Sequence, residues 1–117
     1  MSKSANYCAI SSLPGSGYLL LCEVALGESW QLSTAKTDIV TPRAGAHSVK
    51  GVGMLSPNPK GCTSFERSIT VPSGELGMQP LGPDDVKPTH LMYNEYIVYS
   101  SAQQRPRFLV ELHFDKP

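Results

Sequence analysis

The segment Tyr18-Leu19-Leu20-Leu21-Cys22-Glu23-Val24-Ala25-Leu26 constrains the fold more than any other stretch of this chain. Side chains alternate across a β-strand, so Tyr18, Leu20, Cys22, Val24 and Leu26 fall on one face and Leu19, Leu21 and Ala25 on the other. Both faces are apolar except for Glu23, which is the pattern of a central strand buried on both sides. Gly27 ends the run. Such a strand needs partners on both edges and cover on both faces. The later strands can supply some of these.

Ten glycines and ten prolines in 117 residues imply many turns and short elements. Residues 2–10 are compatible with a short helix capped by Ser2 or Ser4. The segment from Leu13 to Gly17 is a loop. Glu28 to Lys36 is expected to hold a helical turn around Trp30 and Leu32. His47 to Met54 is extended with glycine breaks, and Ser56 to Gly61 is a turn. Glu66 to Val71 alternates as a weaker, peripheral strand, and Pro72 to Pro88 is a Gly/Pro-rich loop. Leu91 to Tyr99 is a strand rich in aromatic and β-branched residues. After a turn near Gln103-Gln104 comes a last strand, Arg107 to Phe114, with Phe108, Val110, Leu112 and Phe114 on its core face. The expected fold class is α+β but β-rich, with mixed and antiparallel sheets and little helix.

Composition excludes several classes of function. Ten Lys plus Arg balance ten Asp plus Glu, so no field draws nucleic acid or acidic membranes to this portion. The longest apolar run, Tyr18 to Cys22, is far too short to span a bilayer. The first six residues carry no signal-peptide pattern. Cys8, Cys22 and Cys62 are odd in number and widely spaced, which fits neither a disulfide framework nor a zinc site. A reducing compartment is expected. His47, His90 and His113 are scattered without metal-like pairing, so no metal site is expected.

One acid stands out. Glu95 lies mid-strand in Leu91-Met92-Tyr93-Asn94-Glu95-Tyr96-Ile97-Val98-Tyr99. Neither face of that strand is polar, so it is expected to be covered on both sides. A carboxylate in such a place is costly unless something binds it. The alternative is a glutamate near a sheet end, paired with a lysine or with water.

Three segments, in this order and spacing, resemble the catalytic domain of the poly(ADP-ribose) polymerases. The first is Ser2-Lys3-Ser4-Ala5-Asn6-Tyr7-Cys8. The second is Leu19 to Gly27, followed by His47-Ser48-Val49-Lys50-Gly51-Val52-Gly53 and Ser56-Pro57-Asn58-Pro59. The third is Tyr93-Asn94-Glu95-Tyr96-Ile97-Val98-Tyr99, followed by Arg107 to Leu112. The resemblance implies transfer of ADP-ribose from NAD to a protein acceptor or a growing ADP-ribose chain, with release of nicotinamide. NAD is then a substrate, and no metal is involved.

The resemblance also implies site residues. Glu95 matches the glutamate that binds the 2′-hydroxyl of the nicotinamide ribose and helps orient the acceptor, and a glutamate there points to a polymer-forming member. Ser4 matches the serine that bonds the carboxamide; its alternative is a helix cap. Tyr7 matches the tyrosine that stacks on nicotinamide, or is an ordinary core residue. Lys3 matches a lysine at the mouth of the site, or is a solvated surface lysine. Tyr93 matches a tyrosine on the acceptor side, or simply packs in the sheet. In the family, the triad histidine and first triad tyrosine lie upstream of the serine, and no remaining histidine here matches them. Residues 1–117 are therefore expected to be the C-terminal half of such a domain, inactive alone and completed by the N-terminal half. A nuclear location and a role in DNA repair follow from the family only. The other reading is a non-catalytic β-rich interaction module or a decayed relative.

Overall fold

The computed structural model describes Ser4, Ala5, Cys8, residues 15–79 and residues 89–115. Ten strands run in chain order among them: β1 Ser16–Val24, β2 Ser29–Leu32, β3 Ser48–Gly51, β4 Gly53–Pro57, β5 Thr63–Phe65, β6 Ile69–Val71, β7 Leu76–Met78, β8 Leu91–Tyr93, β9 Glu95–Val98 and β10 Gln104–His113. Two 3-10 turns, Pro59–Gly61 and Ser101–Gln103, separate strands. Ser4, Ala5 and Cys8 are helical; the rest of the expected N-terminal helix lies outside the described residues. The β-rich, mixed-sheet class read from the sequence holds. The chain divides into two compact units, Met1–Val24 with Gln104–Pro117, and Ala25–Gln103.

In the first unit β1 and β10 form an antiparallel ribbon whose register runs from Ser16↔His113 to Leu21↔Phe108 and then slips. Cys22 faces Pro106, which leaves Arg107 as the extra residue of a bulge. A proline cannot donate to a ladder, so strands accommodate it at bulges or edges. Glu23 ties the bulge from across the ribbon. Its carboxylate accepts from Arg105 Nε at 2.8 Å and from Arg107 Nη1 at 3.0 Å. The bond from Arg105 holds the Glu23 carboxyl below its ordinary range, with Arg107 adding to it. At the other end, Tyr18 donates its hydroxyl to Glu111 at 3.2 Å.

The doubly buried central strand expected from Tyr18 to Leu26 is not what the described residues show. The strand covers Ser16–Val24 and pairs only with β10 among them. Leu20 is 63% exposed and Leu109, its partner across the ribbon, 67%. On β10 the expected core face is kept only in part. Val110 and Leu112 are half-buried and Phe114 follows them, but Phe108 is exposed. Alternation reveals which side chains share a face, not what covers that face.

The described residues of the second unit form three small sheets, ordered β2-β3-β9, β7-β4-β8 and β5-β6. Among its described residues Ser48 and Val52 are fully buried, with Val49 close to them at 4% exposure. The segment Glu28–Lys36 was expected to turn helically. Instead Ser29–Leu32 forms β2, parallel to β3, with Trp30 opposite Val49. Ser29 and Ser48 hydroxyls meet at 2.7 Å on that ladder. The expected strand Glu66–Val71 is a hairpin arm only from Ile69. Glu66 and Arg67 take positive φ of 48° and 64° and turn the chain between β5 and β6. Residues with side chains rarely adopt that conformation, so sequence alone gives no sign of it. Of the expected loop Pro72–Pro88, Leu76–Met78 pairs with β4, while residues 80–88 lie outside the described residues.

Candidate functional site

The run Leu91–Tyr99, expected to be one strand covered on both sides, is two strands in two sheets. β8 lies parallel to β4, with Gly53↔Leu91 and Leu55↔Tyr93. β9 lies antiparallel to β3, with Gly51↔Glu95 and Ser48↔Val98. Asn94 is the hinge. Its side-chain Oδ1 accepts the backbone N–H of Gly53 at 2.9 Å, so it takes the place of a ladder partner where the chain changes sheet,. Met92, Tyr96 and Ile97 are exposed, so cover on both faces is absent among the described residues.

Two glycines make the junction possible. Gly53 is buried, and a Cβ added there would fall on the carbonyl carbon of Tyr93 and 2.6 Å from the Asn94 nitrogen. Only a residue without a side chain lets backbone approach backbone so closely. A Cβ on Gly51 would lie 3.7 Å from that of Glu95 and 2.7 Å from Leu91 Cδ1. Glu95 therefore sits opposite a bare glycine on the first rung of β9, and the Leu91 side chain fills the space where a side chain at Gly51 would otherwise stand. Val52, between the glycines, donates its N–H to the Leu32 carbonyl at 2.9 Å and joins β2 to the same framework.

Glu95 is half-buried and lines a cavity of about 360 Å³. The apolar part of the wall comes from Leu32, Ile39, Val49, Leu91 and Ile97; the polar part includes Glu95, Lys36, His90 and Tyr99. A largely apolar chamber with a few converging polar groups is the usual form of a small-molecule site. Lys36 is held by an aromatic ring, with Nζ 5.4 Å from the centroid of Trp30, over which Arg43 Cζ also lies at 5.7 Å. Lys50 stands 5.9 Å from the ring centroid of Tyr96, whose phenol is pushed above its ordinary pKa by partial desolvation.

The other expected site residues are placed as follows. Tyr93 ends β8, half-buried, and belongs to the other sheet rather than to the lining of the cavity. Ser4 is exposed and helical in the first unit. Lys3 and Tyr7 lie outside the described residues. Among the described residues no cluster of His, Cys, Asp and Glu is arranged to hold a metal, and no helix is long and apolar enough to cross a membrane. The sequence alone assigned no site role to Gly53, Asn94, Trp30 or Lys36. The glycine breaks in Ser48-Val49-Lys50-Gly51-Val52-Gly53 were a visible signal for the first. Nothing local marked the others.

The family model described as the poly(ADP-ribose) polymerase catalytic domain matches residues 1–114. The chain is 42% identical over 114 residues to poly [ADP-ribose] polymerase 1 of Arabidopsis thaliana, covering 97% of this chain and 11% of that protein. It is 41% identical over 115 residues to poly [ADP-ribose] polymerase 1 of Gallus gallus, covering 98% and 11%. It is 41% identical over 114 residues to poly [ADP-ribose] polymerase 2-A of Oryza sativa subsp. japonica, covering 97% and 16%. The chain thus spans only a small part of the length of these relatives. The extent of the match shows that this chain belongs to the poly(ADP-ribose) polymerase catalytic-domain family.

Proposed function

We propose that the chain contributes the carboxylate side of an NAD-dependent ADP-ribosyl transfer site, with Glu95 as its catalytic residue. The observation that carries this reading is the placement of Glu95. It is fixed on the first rung of β9 by the Asn94–Gly53 lock, beside the bare backbone of Gly51, and it lines a cavity.

The chemistry suits such a group. The bond between C1′ of the ribose and the nicotinamide nitrogen breaks, and its electron pair leaves with nicotinamide, whose ring becomes neutral. Positive charge builds on the sugar as in glycoside cleavage. An acceptor oxygen then bonds to C1′ and gives up its proton to water. A fixed carboxylate that holds the 2′-hydroxyl lies close to the growing charge and stabilises it more than it stabilises bound NAD. A carboxylate already in place needs no reorganisation as the charge forms.

Ser4 and Tyr7 are assigned to the carboxamide and ring of nicotinamide, Lys3 to the mouth of the site and Tyr93 to the acceptor side. The acceptor is a protein group or the end of an ADP-ribose chain, and the location is nuclear. The exposed apolar residues Leu20, Leu21 and Leu109 fit a ribbon that packs against further protein. We assign that role to the N-terminal half of the catalytic domain, without which the chain is inactive.

The test is NAD consumption by the chain alone and by a form extended upstream through the rest of the domain. Activity confined to the extended form, and cut by about a hundredfold or more in Glu95→Gln, is the expected result. A Glu95→Gln enzyme with the full rate refutes the assignment.

A further inference from the structure

We infer that Lys36 is a phosphate-binding residue of the cavity that Glu95 lines, and that the ligand spanning the two is a ribose phosphate. The inference rests on the proposed function of Glu95 and adds a second point of recognition to the same chamber. Lys36 and Glu95 line one cavity, whose wall between the polar groups is largely apolar. A carboxylate accepts from sugar hydroxyls, while an ammonium donates to phosphate as a compact point charge. An apolar wall suits the carbon face of a sugar or a flat base.

Lys36 is also prepared for this task. A free lysine side chain loses much rotamer freedom when a ligand fixes it. Here the ammonium already lies 5.4 Å from the Trp30 ring centroid. The ring itself is set by the β2–β3 ladder, where Trp30 pairs with Val49. Restraint before binding lowers the entropy lost on binding. Arg43 approaches the same ring at 5.7 Å. Two cations on one indole repel each other. The ring's negative face offsets part of that repulsion, and an anion between them offsets more. The loop between β2 and β3 therefore carries two positive charges on one indole, and one of the two residues, Lys36, also lines the cavity of Glu95.

Two ligands present a ribose phosphate, the donor NAD and the end of an ADP-ribose chain, and kinetics of the enzyme extended through the full catalytic domain separate them. With donor binding at Lys36, Lys36→Gln raises KM for NAD in its hydrolysis by about tenfold, with kcat little changed. With chain binding, the same variant leaves NAD hydrolysis alone and shortens the polymer. In either case Lys36→Arg restores most of the loss, and Trp30→Leu reproduces part of it. Unchanged KM and unchanged polymer length in a folded Lys36→Gln enzyme overturn the inference, as does a loss that Lys36→Arg fails to restore. A Glu95→Gln enzyme with full activity overturns the underlying function instead, so the two failures are distinguishable.

Discussion

Replacing Gly53 by alanine tests how the carboxylate is held. The added methyl would meet the Tyr93 carbonyl carbon, and it would lie 2.6 Å from both Tyr93 Cα and the Asn94 nitrogen. All three are backbone atoms, so no side chain can rotate away and the β4–β8 contact must open. Forcing a methyl into a packed site costs about 1–3 kcal/mol, and a rigid backbone obstacle puts this case at the upper end. Opening the contact also stretches the bond from Gly53 N–H to Asn94 Oδ1, now 2.9 Å. A buried N–H left without its acceptor costs about 1–3 kcal/mol. We expect Gly53→Ala to lose about 3 kcal/mol or more in urea unfolding of the full catalytic domain. Gly77→Ala is the control, because nothing lies within 4 Å of a Cβ at Gly77. Asn94→Ala removes only the bond and should fall between the two. Transferase activity should drop with Gly53→Ala under conditions where the protein stays folded, because the first rung of β9 moves. A Gly53→Ala protein as stable as Gly77→Ala, with an unchanged rate, refutes the idea that this junction positions Glu95.

Other outcomes follow from the same structure. The chain alone exposes Leu20, Leu21, Phe108 and Leu109 on one ribbon, and exposed apolar sheet surface drives association. Sedimentation should show oligomers or aggregate, and a monomer with a sharp reversible melt would contradict this. Glu23 supplies a pH signature. Its folded pKa is lowered by Arg105 and Arg107, so its contribution is present above the unfolded value near 4.5 and fades as pH falls through the folded one. Acid titration of stability should therefore steepen below about pH 4.5, and Glu23→Gln should flatten that slope. An unchanged slope in Glu23→Gln removes the bulge tie from the account.

Much of the β-rich layout was legible because it is written in local pattern. The glycines around Val52 announced the break between β3 and β4, and the alternation of Val110, Glu111, Leu112 and His113 announced β10. The misreadings share one cause, which is information held outside the segment. Ser29–Leu32 is a strand because β3 lies parallel beside it, and four residues carry no periodicity that says so. Glu66 and Arg67 turn the chain in a conformation usually left to glycine. The break at Asn94 interrupts a run whose alternation is unbroken, because its cause is an N–H forty-one residues away in sequence. For the site, Glu95 was visible as an acid among apolar neighbours. Lys36 was not, since only the fold carries it to the same cavity.

The most direct test of the central claim is a structure of the complete catalytic domain with a non-hydrolysable NAD analogue. The account predicts a Glu95 carboxylate oxygen within about 2.6–3.2 Å of the 2′-hydroxyl of the nicotinamide ribose. A Glu95 side chain turned away from the bound dinucleotide would contradict it.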